Sequence, residues 1–283
     1  MKYLLTGSSG YVGSQIKSYL EKQGHEVKEL RRTPPGNGTP DFVKFKLGEE
    51  INPESLRCGE VLVHCAYDFS PRSWDELSDI NVEGTRKLFC AATKADVTRI
   101  ILISSISAFE GCKSLYGRAK LGCEKVAKEF GGVIIRPGLV YGDTPGGMVG
   151  NLRRSVQGAA VPVIGGSQHM YLVHESDLAK LVEVASVPGK VQVGVPLMAA
   201  NESSVTFGTI LRTLAHECGV KPFFVSIPWQ IVWAALKFAE KIGVKLSMRS
   251  DSVISLMNPD PSPPFAETKR SGVEFKPFNP IKE

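Results

Sequence analysis

A chain of 283 residues, 42% hydrophobic and 22% charged, holds enough apolar side chains for a large core; at roughly 150 residues per domain it fits one α/β unit with an appended lobe, or two domains. A net charge of +5, from 34 basic and 29 acidic residues, comes with no block of like charges and no basic, aromatic-interleaved stripe, which excludes a nucleic-acid partner and leaves anionic small molecules as ligands. The most apolar stretch, 227–244, is interrupted by Gln230, Lys237, Glu240 and Lys241, short of the roughly 18 apolar residues of a membrane span, so no membrane partner is expected.

The opening MKYLLTG enters a strand pattern without the features of a secretory signal, and the expected compartment is the cytoplasm. Six cysteines (Cys58, Cys65, Cys90, Cys112, Cys123, Cys218) form no CxxC pair, which argues against zinc ribbons and disulfide frameworks. Apolar runs then alternate with amphipathic stretches: KYLLT and a helix from Tyr11 to Gln23, EVKEL, DFVKFKL, EVLVHCA and a helix from Trp74 to Ala95, RIILISS and a helix from Leu115 to Phe130, then GVIIRP. Strands separated by helices predict a doubly wound parallel α/β sheet, a Rossmann fold, because parallel strands need long crossovers.

This dinucleotide-binding domain is expected to span 1–145, with its sheet completed at about 170–200, and 146–283 to form mainly a smaller substrate-binding lobe. In that lobe GMVGNLRRSVQGA reads as a helix, HESD as a helix start, and the residues from about 205 as two helices flanking the strand PFFVSIP. The Pro-rich NPDPSPP reads as an extended connector.

Gly7, Gly10 and Gly13 in TGSSGYVG follow a strand and open a helix. Small residues there permit a tight turn, close approach of backbone N–H groups to a pyrophosphate, and close helix–strand packing, so Gly7, Ser9, Gly10, Tyr11, Val12 and Gly13 are the first cofactor-binding candidates. EVKEL ends in Arg31 and Arg32, where an acidic residue would bind the ribose diol of NAD. Arginine there favours a 2′-phosphate, hence NADP, with NAD as the alternative; the competing reading is a solvated surface pair.

In YGRAK, Tyr116 and Lys120 share one helix face. Free tyrosine titrates near about 10, and acid/base work at neutral pH requires a shift of about 2 to 3 units, which a neighbouring ammonium supplies.

With TGSSGYVG, YGRAK, VHCA, NVEGT (81–85), RPGLVYG (136–142) and YLVHESDLA (171–179) in view, the chain resembles the short-chain dehydrogenase/reductase superfamily in its extended, epimerase/dehydratase-like form. The resemblance covers about residues 1–200. It implies that Tyr116 is the acid/base, that Lys120 binds the nicotinamide ribose, that Ser105 hydrogen-bonds the reacting oxygen, and that Ala66, Tyr67 and Pro137 line the cofactor. Aligned backward from Gly111, the serine position falls on Ile106 instead, with Ser104 and Ser107 as alternatives. The resemblance also implies a homodimer.

No set of metal ligands is expected. His174 and Asp177 read as helix caps, His64 as a core histidine, and Asn81 as bonding neighbouring backbone. Asp143–Gly147 reads equally as a flap over the site or an ordinary turn. The stripe Trp229, Ile231, Val232, Trp233, Leu236, Phe238 and Ala239 is expected to pack inside the lobe, and Met148, Met170 and Met198 to face the substrate. The function expected is an NADP-dependent oxidoreductase moving a hydride between nicotinamide and a carbonyl or alcohol of a small-molecule substrate. The alternatives are a nucleotide-sugar epimerase or dehydratase with retained NAD, and a non-catalytic dinucleotide-sensing protein.

Overall fold

Alternation within each strand builds this fold. In β1 (Lys2–Thr6) Tyr3 and Leu5 point to one side and Leu4 to the other, and helix α1 (Tyr11–Lys22) turns Ile16 and Leu20 onto the Tyr3 side. The computed structural model describes residues 1–34, 42–144, 146–244, 246 and 248–279. β2 (Glu26–Arg31), β3 (Phe42–Lys44) and β4 (Val61–His64) follow, then α2 (Trp74–Leu77), a π-helical turn over Ser78–Glu83, and α3 (Gly84–Lys94). The single helix expected over 74–95 is thus broken by a wider turn, which no periodicity in the sequence marks. β5 (Arg99–Ile103), α4 (Leu115–Glu129) and β6 (Val133–Pro137) fall where the sequence places them.

The chain then runs through β7 (Leu139–Tyr141), α5 (Gly147–Ser155), β8 (Ala160–Val163), β9 (His169–Met170), β10 (Leu172–His174), α6 (Glu175–Ser186) and β11 (Pro196–Ala199). β11 joins the main sheet, whose order is β3-β2-β1-β4-β5-β6-β11 with every pair parallel. Ile101, Ile103, Val133, Ile135 and Leu197 pack on one face with α1 and α6. Ile100, Leu102 and Ile134 pack on the other with α3 and α4. Both faces are therefore covered, at about 1.5 to 3 kcal/mol per fully buried aliphatic side chain.

Beyond β11 come β12 (Val205–Thr206), α7 (Phe207–Glu217), β13 (Phe223–Ser226), α8 (Trp229–Lys241), α9 (Ser250–Met257) and α10 (Ala266–Arg270). Three two-stranded ladders, β7 with β10, β9 with β12, and β8 with β13, tie this region together around Leu139, Val156, Ile210 and Leu214. Met198 lies in β11 and is fully buried, so it faces the core and not a substrate. The 229–239 stripe divides: Trp229, Val232, Trp233 and Leu236 pack against α9, whereas Ile231 and Phe238 are exposed.

Candidate active site

The carboxyl ends of β1, β4, β5 and β6 are neighbours, so the sheet gathers the Gly7–Gly13 turn, Ala66–Tyr67, Ser104–Ser107 and Pro137 along one edge. Gly7 has a φ of +72°, and a Cβ there would stand 2.8 Å from the Ala66 nitrogen; a Cβ on Gly13 would collide with the Gly7 carbonyl. The Thr6 hydroxyl fixes the same junction by accepting the Ala66 N–H at 3.1 Å.

No side chain caps α1 and no acidic residue occupies its first turn. Ser8, beside that helix start, buries a hydroxyl with no hydrogen-bond partner among the described residues. A glycine cradle, an uncapped helix start and an orphaned hydroxyl fit a pyrophosphate. The Tyr11 hydroxyl donates to Glu175 at 2.5 Å, and its ring packs against Gly146 and Gly147. Of the Asp143–Gly147 segment, in which Pro145 lies outside the described residues, Gly146 and Gly147 therefore rest on the first residue of α1.

At the end of β2, Arg31 is half-buried and its guanidinium lies 3.3 Å from the Glu29 carboxylate, which Lys17 of α1 also approaches at 3.7 Å. Arg32 is exposed. Most of the following TPPGNG loop lies outside the described residues.

Helix α4 begins at Leu115, with Ser114 as its N-cap accepting the Gly117 N–H at 3.1 Å. Tyr116 is half-buried, with its ring 5.1 Å from that of Tyr67 and stacked on Phe69 at 5.7 Å. One turn on, Lys120 is buried; its ammonium donates to the Ile103 carbonyl at 2.8 Å and lies 5.0 Å from the centre of the Tyr67 ring. The Tyr67 hydroxyl is buried without a partner among the described residues, and burial, reinforced by Tyr116, raises its pKa and holds it protonated.

The serines separate by partner. Ser104 donates to buried Glu124 at 2.6 Å, which turns it away from the edge. Ser107 is bonded to Ser255 of α9 at 2.9 Å. Ser105 is half-buried, its hydroxyl accepting the Ser107 N–H at 3.1 Å. Gly117 packs directly on the Ser107 carbonyl, which brings this turn against the start of α4. Ile106 donates its N–H to the Pro137 carbonyl at 2.9 Å, and its side chain has no hydrogen-bonding atom.

Two partners of the site were not legible in the sequence. Asp251 of α9 accepts the N–H of Leu115 at 2.8 Å and that of Tyr116 at 3.0 Å. Behind the edge, Arg136 grips Glu124 with two bonds of 2.8 and 2.7 Å. Only the arginine of RPGLVYG, an unusual residue in an otherwise buried strand, hinted at the second.

His64 is buried, bonded to Thr6 at 2.7 Å and Thr85 at 3.1 Å; burial, with a lesser push from Lys120, lowers its pKa to about 3. Asn81 exchanges two bonds with the backbone of Asp68. His174 caps α6, accepting the Ser176 N–H, and Asp177 accepts that of Lys276. Met148 is exposed and Met170 half-buried.

The sequence pattern of the NAD dependent epimerase/dehydratase family matches residues 3–187. The chain is similar to ceramide reductase from Caulobacter vibrioides, 28% identical over 233 residues that make up 79% of this chain and 73% of that one. Among solved structures it resembles gox2253, with a TM-score of 0.70, 21% identity and coverage of 97% of this chain and 93% of that one. It also resembles MoeE5 in complex with UDP-glucuronic acid and NAD, at a TM-score of 0.69, 24% identity and coverage of 81% and 86%. At such identities the two structures speak for the fold alone.

Proposed function

The chain belongs to the NAD dependent epimerase/dehydratase family, and on that premise we propose that it is an NADP-dependent oxidoreductase acting on the carbonyl or alcohol carbon of an apolar or amphipathic compound. The observation that carries this reading is the placing of Tyr116 and Lys120 on one helix face under an aromatic wall, Tyr67 and Phe69, at the carboxyl edge of the sheet. The exposed face of Phe69 in this wall offers apolar contact to a substrate beside Tyr116.

The glycine turn, the α1 start and Ser8 would hold the pyrophosphate, and Arg31 the 2′-phosphate. Once bound, the nicotinamide supplies or accepts the hydride. Tyr116 gives its phenolic proton to the substrate oxygen in reduction and takes it back in oxidation. Lys120 keeps two of its three N–H donors after bonding Ile103. Ser105 bonds the same substrate oxygen and orients it.

The nucleotide-sugar reading with retained NAD is favoured by one observation: the Glu29 carboxylate already engages Arg31, and a 2′-phosphate has to compete with it. Purified protein is to be stripped of dinucleotide, the released species identified by mass spectrometry, and long-chain ketones, aldehydes and sugar nucleotides tested for NADPH or NADH oxidation. Turnover of apolar carbonyls with external NADPH supports the proposal. Tightly retained NAD with activity confined to sugar nucleotides replaces it with the second reading.

A further inference from the structure

Helix α8 carries apolar residues on two sides. Trp229, Val232, Trp233 and Leu236 face α9 and the β8 end, closing a small cluster around Ile164 and Val253. At the spacing of successive helical turns on the other side, Ile231, Ala234, Ala235 and Phe238 face away from the protein, with Ile231 62% and Phe238 65% exposed. Beyond the helix end Ile242, Val244, Leu246 and Met248 are exposed as well. Arg249 then donates to the carbonyls of Phe69 and Pro71, so the row leads to Phe69, itself 60% exposed and stacked on Tyr116. Large apolar side chains exposed along one face of a helix mark an interaction face.

Along α8 itself the exposed charged side chains are of one sign. Lys237 and Lys241, one turn apart, are exposed along its flank. Between 229 and 249 the sequence has a single acidic residue, Glu240, and its carboxylate is turned to the N–H and hydroxyl of Ser250. An isologous contact with a second copy would set this cationic flank against a surface offering no exposed carboxylate of its own within the row. An anionic lipid surface meets both features: acyl chains take the apolar row and headgroup phosphates the lysines.

We propose that the outer face of α8, with Ile242, Val244, Leu246 and Met248, docks the protein peripherally on an anionic bilayer, laying Phe69 beside the headgroups. Docking in this way involves no membrane-crossing helix, and among the described residues none is long and apolar enough to cross. The proposal does not depend on the redox reading, and its test does not require turnover.

The experiment is co-sedimentation of the full chain with phosphatidylcholine vesicles, with and without phosphatidylglycerol, at low and high salt, with dinucleotide affinity measured on every variant as a check of folding. Wild type is expected on the anionic vesicles and to be released by salt. Lys237→Gln and Lys241→Gln should each weaken partitioning about 5-fold. Ile231→Ser with Phe238→Ser should abolish it while leaving dinucleotide affinity unchanged. Should that pair disturb folding, Phe238→Ser alone, which alters an already exposed side chain, decides the matter by the same comparison. Wild type that stays in the supernatant with both vesicle types overturns the proposal. So does a dimer, seen by light scattering, that Phe238→Ser dissolves, since it places a second copy on the row.

Discussion

Asp251 of α9 holds the backbone of Tyr116: one carboxylate oxygen accepts the Tyr116 N–H at 3.0 Å while the other accepts that of Leu115 at 2.8 Å. A residue far along the chain thereby caps the helix carrying the candidate acid/base, and a negative charge at a helix start is favoured by the unpaired N–H groups there. Asp251→Ala should cost about 1 to 2 kcal/mol of stability and lower turnover with little effect on dinucleotide affinity. Asp251→Asn, which keeps one acceptor oxygen, should fall between. Thermal unfolding, dinucleotide dissociation constants and kcat measured together test this; a loss of dinucleotide affinity as large as the loss of kcat would show general collapse of the site and not misplacement of Tyr116.

Removing the Tyr116 hydroxyl removes the proposed proton and leaves the stacked ring. Tyr116→Phe should therefore reduce turnover about 10²- to 10⁴-fold, the usual contribution of a positioned acid or base, at nearly constant dinucleotide affinity. Lys120→Met should lower both, because the buried ammonium also ties α4 to the end of β5 through Ile103. Steady-state kinetics beside direct dinucleotide titration separate the two effects.

Cofactor preference should follow Arg31. Loss of a charge-assisted hydrogen bond, worth about 1.5 to 3 kcal/mol, predicts that Arg31→Ala weakens NADP binding about 10- to 150-fold and leaves NAD little changed. Because Glu29 competes for the guanidinium, Glu29→Gln should tighten NADP binding. Dissociation constants at fixed ionic strength decide it; wild type that binds NAD more tightly than NADP assigns Arg31 to structural pairing with Glu29.

Much of the sheet was legible because its inner strands carry apolar runs, such as IILI in β5 and VII in β6, set between long amphipathic stretches, a pattern that admits few alternatives. The glycine turn was legible for a related reason, since only glycine tolerates both the positive φ of Gly7 and the contact of Gly13 with its carbonyl. What escaped were relations that depend on tertiary approach. Asp251 reaches Tyr116 across 135 positions, and Ser255 reaches Ser107 across 148. Likewise, the exposure of Ile231 and Phe238 could not be told from the burial of Trp233 and Leu236, because a helix that is apolar nearly all round has no periodic signal to say which face is inward.

The Glu124 and Arg136 pair is buried, with side chains 2% and 10% exposed, and Ser104 completes the shell around the carboxylate. Glu124→Leu strands a buried guanidinium and should destabilise the fold by about 3 to 5 kcal/mol, as should Arg136→Met by stranding the carboxylate. The double variant should recover much of that loss, since no buried charge is left unpaired. Urea midpoints of the four proteins give the coupling, and additive losses would reject the pairing as the source of the effect.

His64 makes acid stability a property of the core beneath the glycine turn. Its folded-state pKa, lowered to about 3 by burial, lies below the unfolded value of about 6.5. Above the unfolded value the imidazole is neutral in both states and contributes no pH dependence. As pH falls through about 6.5 the unfolded chain takes up a proton that the folded chain refuses, so stability declines by up to about 1.4 kcal/mol per pH unit until the folded group titrates near 3. Between pH 7 and 5 that amounts to about 2 kcal/mol, a window in which most free carboxylates are still ionised. His64→Gln removes the titration and retains groups able to bond Thr6 and Thr85. The variant is expected to be less stable than wild type at pH 7, yet to lose about 2 kcal/mol less on going to pH 5. Urea unfolding of both proteins across that interval measures the difference in slope, and parallel pH profiles would mean that the imidazole is protonated in the folded chain as readily as in the unfolded one.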